Sequence, residues 1–107
     1  MAKVKPIEKQ PFEAFPVYGK FDKVLEEGEI ISVDDSVVIV TDKDGVEDAT
    51  MIDEPTKNVD EGKLIIRIQG GDPAKSPYNV SFRAVTSLGN KWEVDAQLNI
   101  IEKKVGG

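Results

Sequence analysis

The residues whose type and spacing could do chemistry are mostly acids. Asp42-Lys-Asp-Gly45 opens like a calcium loop, with carboxylates at alternate positions and Asp48 close behind. An EF-hand loop sets its glycine at the sixth position and a bidentate Glu at the twelfth. Here the glycine comes at the fourth position of the run and no flanking helix is predicted. Asp42, Asp44 and Asp48 therefore make a weak cation site at best. A hairpin turn is the simpler reading, because Asp and Gly supply the local hydrogen bonds and positive φ of tight turns. Glu26-Glu27 and Asp34-Asp35 are carboxylate pairs of the kind glycoside hydrolysis uses. Adjacent residues on a strand point to opposite faces, however, so these pairs read as solvent-facing turn and edge residues.

Three further features carry a chemical suggestion and a plainer structural one. Gly70-Gly71 leads into Asp72-Pro73, whereas a phosphate-cradling loop needs a helix N-terminus next; a corner between sheets is expected. Trp92 could be a stacking platform for a sugar, but a stacking site normally adds several polar partners, and a core aromatic is the plainer reading. Lys3, Lys5 and Lys9 could form a basic arm, although the body behind them is acidic. No catalytic, cofactor-binding or metal-ligating residue is expected from these features, and no enzyme.

The inventory narrows the field further. The chain has 107 residues, one domain's worth. It contains no Cys and no His, so disulfides, thiolate metal sites and the commonest general base are excluded. Its net charge of −6 repels nucleic-acid phosphates and anionic membranes. No apolar run approaches the roughly eighteen residues of a membrane helix. Met1–Gln10 has charges but no apolar centre, so no secretory signal is expected and cytoplasmic synthesis is.

The elements that must position these residues read as strands. Residues 1–11 are polar and Lys-rich and are expected to be a flexible arm, with residues 12–103 as a single domain and 104–107 as a disordered tail. Phe12 to Phe21 is rich in aromatics but interrupted by Pro16, which predicts an irregular or edge strand. Ile30–Val33 and Ser36–Thr41 are the next predicted strands. Val46–Ile52 fits a short strand or one helical turn, and 53–62 reads as a long polar loop. Lys63–Gln69 is a strand. In 77–86 and 91–102, apolar and polar residues alternate, the mark of strands with one buried and one wet face. Tyr78, Val80, Phe82, Trp92, Val94 and Leu98 are the expected core set, and Ser87–Asn90 the hairpin between them. Short strands about ten residues apart, punctuated by Gly and Pro, predict an all-β antiparallel sandwich of about seven strands.

The run Ile65-Ile-Arg-Ile-Gln-Gly-Gly71, the strand Tyr78-Asn-Val-Ser-Phe-Arg-Ala-Val-Thr-Ser87, Gly89 and the closing alternating strand resemble a group of small tailed-phage and prophage virion proteins. Phe21-Asp-Lys-Val-Leu25, Gly28-Glu-Ile-Ile-Ser32 and Val37–Val40 resemble the early region of the same group. These are fiber–tail adaptor or head–tail-region proteins with an immunoglobulin-like sandwich, and the resemblance spans about residues 17–102. It implies a non-enzymatic structural subunit of a virion, assembled in the bacterial cytoplasm, whose partners are other virion proteins and further copies of itself. The edge strand over 12–21 and its preceding arm are the expected assembly device. The alternative is an immunoglobulin-like module that binds a carbohydrate or protein ligand.

Overall fold

The computed structural model describes residues 6–102. Two sheets face each other across one core. The larger contains β1 (Ile7–Lys9), β7 (Lys91–Ile100), β6 (Tyr78–Val85) and β3 (Val37–Thr41), in that order. The smaller contains β2 (Phe15–Lys20), β5 (Lys63–Ile68) and β4 (Ile52–Asp60), in that order. The fold is all-β and sandwich-like, as the alternation predicts. Every strand pair is antiparallel except β1 with β7, which is parallel, so the larger sheet is mixed.

The core is the inward set of each strand. Leu64, Ile66 and Ile68 from β5 meet Val38 and Val40 from β3, Tyr78, Val80 and Phe82 from β6, and Leu98 and Ile100 from β7. All are buried, and each large aliphatic or aromatic side chain removed from water contributes about 1.5–3 kcal/mol. Val17 and Phe21 close the core from β2 and the residue after it. Gly19, between them, has no room for a side chain: an added Cβ would stand 2.7 Å from both Cβ and Cγ of Phe82.

Several expectations are corrected. The inner end of the expected arm is a strand, because Ile7–Lys9 find backbone partners along Leu98–Ile100. Lys3, Lys5 and the expected tail at 104–107 lie outside the described residues. Ile30–Val33 is no strand: only Ile31 faces the core and bridges Thr86, and the chain then turns back through Ser36 N–H to Ser32 C=O at 3.1 Å. The expected loop at 53–62 is mostly strand β4. Its polar sequence suits an edge, and a bulge interrupts its register between Asp53 and Asn58. There the Thr56 hydroxyl bridges the gap, accepting from Arg67 N–H at 2.9 Å and donating to Asp53 C=O at 2.6 Å. Val46–Ile52 forms a bridge from Glu47 to Thr41, then a 3-10 turn over Ala49–Met51.

The Gly70-Gly71 corner is present, with φ of 65° and 104°. A Cβ on Gly71 would also strike the Ile100 side chain at 2.7 Å. The hairpin at 86–90 closes through Thr86 N–H to Asn90 C=O at 2.9 Å. Replacing Gly19 with Ala should lower unfolding stability by about 1–3 kcal/mol, the usual effect of overpacking, and urea titration would measure it. A stability equal to that of the wild type would mean that Phe82 has another place to go.

Candidate functional site

The residues singled out for chemistry serve turns. Asp42 Oδ1 accepts from Asp44 N–H at 2.9 Å and Val46 N–H at 3.0 Å, which is what closes the turn. Asp48 Oδ1 caps the next one by accepting from Thr50 N–H at 3.1 Å. Asp35 accepts from the Ser32 hydroxyl at 2.8 Å. Among the described residues, no group of three or more acids is arranged to hold a metal ion. No helix there is long and apolar enough to cross a membrane.

Two buried charges, Glu29 and the Lys9 expected in a basic arm, fix opposite ends of the sandwich. Lys9 is fully buried. Its ammonium donates to Gln10 C=O at 2.9 Å, to Pro11 C=O at 3.4 Å and, closest, to Gly70 C=O. Burial pushes its pKa down, and the nearby Glu13 carboxylate partly opposes this. The lysine thereby ties β1, the 10–13 turn and the Gly70-Gly71 corner together. Phe12 stands on that turn, almost wholly exposed at 98%. At the other end, buried Glu29 accepts from the Thr86 hydroxyl, from Glu26 N–H at 2.8 Å and from Asn90 Nδ2 at 3.0 Å. The Thr86 hydroxyl and then the Glu26 amide hold its carboxyl below the usual range; burial opposes them and Asn90 adds to them. Ile30 and Leu88 are exposed beside this knot, where Ser87 N–H donates to Ile30 C=O at 2.8 Å.

The expected core position of Trp92 is corrected. Trp92 is paired with Ala84, yet it is 39% exposed, and Val94 is only half-buried. β1 flanks β7 only from Leu98 to Ile100, so the first half of β7 has no neighbour on that side among the described residues. Trp92 lines a shallow hollow of about 300 Å³ with Asp35, Val37, Arg83, Lys91 and Glu93. Within that lining, Arg83 Nε donates to Glu93 Oε1 at 2.8 Å. At the other edge of the protein, β2 carries exposed Tyr18, with the Lys63 ammonium 4.9 Å from its ring centre.

The candidate site is therefore a surface: the open half of the β7 edge, with Trp92 and the hollow next to it. No protein-family model matches this chain, and no curated protein matches it.

Two outcomes test the buried charges. Lys9→Met keeps the aliphatic packing and the Glu13 N–H bond to Gln10 C=O, but removes the ammonium bonds to Pro11 C=O and Gly70 C=O. It should reduce stability by about 1–3 kcal/mol, read by urea titration. Glu29 has a pKa below the ordinary value of about 4.3, so the folded state binds fewer protons than the unfolded one. Its contribution is fully present above that unfolded value and is lost below it, as pH falls through the lower folded pKa. The stability gap between wild type and Glu29→Gln should narrow progressively below about pH 4.3; a gap independent of pH would rule out the charge as the cause.

Proposed function

We propose that this chain is a non-enzymatic, immunoglobulin-like structural subunit of a phage or prophage particle, joined to other virion proteins through strand edges and apolar surface residues. The observation that carries the reading is the open half of β7 beside the exposed Trp92. An unpaired strand edge is a ready template for another chain. The immunoglobulin-like assignment has two supports. The order β2-β5-β4 opposite β3-β6-β7 parallels the B-E-D and C-F-G order of such sandwiches. Tyr78, buried at the start of β6, accepts from Asp72 N–H through its hydroxyl at 3.0 Å, in the manner of the tyrosine corner. The likeness of residues 17–102 to virion adaptor proteins supplies the setting. Contacts between copies of the chain would fall to exposed residues such as Phe12.

The second reading, a module that binds a carbohydrate or protein ligand, is favoured by one observation: the hollow next to Trp92 is lined by Val37, Arg83, Lys91 and Glu93. Oligosaccharides seated there would change Trp92 fluorescence, and the virion reading expects no change.

The decisive experiment is mass spectrometry of particles purified from the source bacterium after prophage induction. Peptides of this chain should co-purify with capsid and tail proteins at a fixed ratio, and neighbouring genes should encode such proteins. Intact particles without the chain would refute the assignment.

A further inference from the structure

β7 is paired along its length on one side, from Lys91 against Val85 to Leu98 against Tyr78. On the other side, among the described residues, it is paired only at Leu98–Ile100. The directions of its backbone groups follow from two bonds. Ile100 N–H turns toward the β6 side, where Ser76 Oγ accepts at 2.9 Å. Ile101 N–H turns the other way, to Lys9 C=O at 2.8 Å. Successive residues of a strand aim their backbone groups at alternate neighbours. Lys91, Glu93 and Asp95 therefore point N–H and C=O at the open side.

The other edges are blunted. β2 contains Pro16, which has no N–H. β4 is broken by its bulge. The far end of β3 is covered where Asp48 N–H donates to Val40 C=O at 2.8 Å. The open stretch of β7 has no Pro, no Gly and an unbroken register with β6.

We propose that this edge binds an extended segment of another protein as an added strand, with basic residues opposite Glu93 and Asp95 and apolar residues between them. The argument is charge complementarity along a fixed register. Glu93 and Asp95 are both exposed. Arg83 answers the Glu93 carboxylate through one oxygen, and among the described residues Asp95 accepts from the Asn79 amide, at 3.3 Å. Opposite charges across a strand pair stabilise it and like charges oppose it. Lys91, also exposed, starts the row and disfavours a basic residue opposite itself. The residues between, Trp92 and Val94, are partly exposed apolar groups that alternate residues of an added strand would cover. β1 stops the added strand at Leu98, so about six residues fit, roughly 20 Å at the usual rise. This inference rests on the assembly reading only for the source of the strand; binding at the edge stands or falls separately.

The test uses the full chain, ¹⁵N-labelled, and a synthetic peptide of sequence Thr-Val-Lys-Val-Lys-Val, with a control in which Glu replaces each Lys. The basic peptide should shift the Glu93 and Asp95 amides and slow their hydrogen exchange, and the acidic control should not. Asp95→Lys should weaken binding about tenfold, as an attractive cross-strand pair becomes a repulsive one. Glu93→Lys with Asp95→Lys should bind the acidic control instead, with β6 amide resonances reporting that the fold is intact. Equal binding of both peptides, or no change at these amides, overturns the proposal. So does protection of the Glu93 and Asp95 amides in the free protein that disappears on removing residues 1–5 or on dilution, which would assign the edge to the chain's own N-terminus or to a second copy.

Discussion

The spacing between the two sheets is set where Phe82 meets Gly19. Face-to-face sheets pack about 10 Å apart, and the side chains between them must interdigitate without voids. Phe82 fills its part of the layer by reaching the backbone of β2, which is possible only because position 19 has no side chain. Val17 and Phe21 flank that contact on the same face of the chain and are buried. The inward residues of β5 and β6 then fill the rest of a layer whose thickness this contact has fixed. One glycine in an otherwise apolar inward row thus fits the smaller sheet to the larger.

The ends of the sandwich are held differently, by buried charges whose partners are neutral. Lys9 gathers backbone carbonyls at one end, and Glu29 gathers a hydroxyl, an amide and a backbone N–H at the other. Buried ionic groups seldom add much net stability, because desolvation offsets what they gain. Their geometric demand is strict, since removing any partner leaves a charge poorly satisfied. Each therefore selects one loop arrangement from many. Ser36 does the same at smaller scale: its hydroxyl donates to Ser32 C=O at 2.7 Å and accepts from Val85 N–H at 3.0 Å, while its carbonyl accepts from Lys57 at 2.7 Å. With loops fixed in this way, the exposed Phe12, Ile30 and Leu88 are presented on defined backbone.

What could be read in the sequence was whatever a two-residue period marks. β6 and the second half of β7 alternate cleanly because both sides of each strand have neighbours and one face has a core. β4 was hidden because an edge strand needs only a backbone ladder: Asp53-Glu-Pro-Thr-Lys-Asn58 carries no apolar alternation, and its bulge breaks what period there is. β1 was hidden because three residues are too few to show a period, and its inward residue is a lysine whose role depends on carbonyls that are distant in sequence. Ile30–Val33 looked like a strand from β-branched content alone, without the partners that make one. Trp92 and Val94 keep the inward parity of their strand but lie where β1 does not reach. Parity in a sequence gives a side chain's face; it does not show whether anything covers that face.

That last point bears on how an open edge selects what pairs with it. Charged side chains on an edge are a common guard against pairing with other strands. The row Lys91, Glu93, Asp95 acts selectively as a guard. Two copies of β7 paired antiparallel about Val94 would set Glu93 against Asp95 twice, a like-charge arrangement that destabilises the ladder. The long-range repulsion of a chain with net charge −6 adds to this. Neither obstacle applies to a basic strand, for which the same acids are attractive. Glu93 and Asp95 thus discourage β7 self-pairing in the register about Val94, while leaving its backbone groups to a partner of opposite charge.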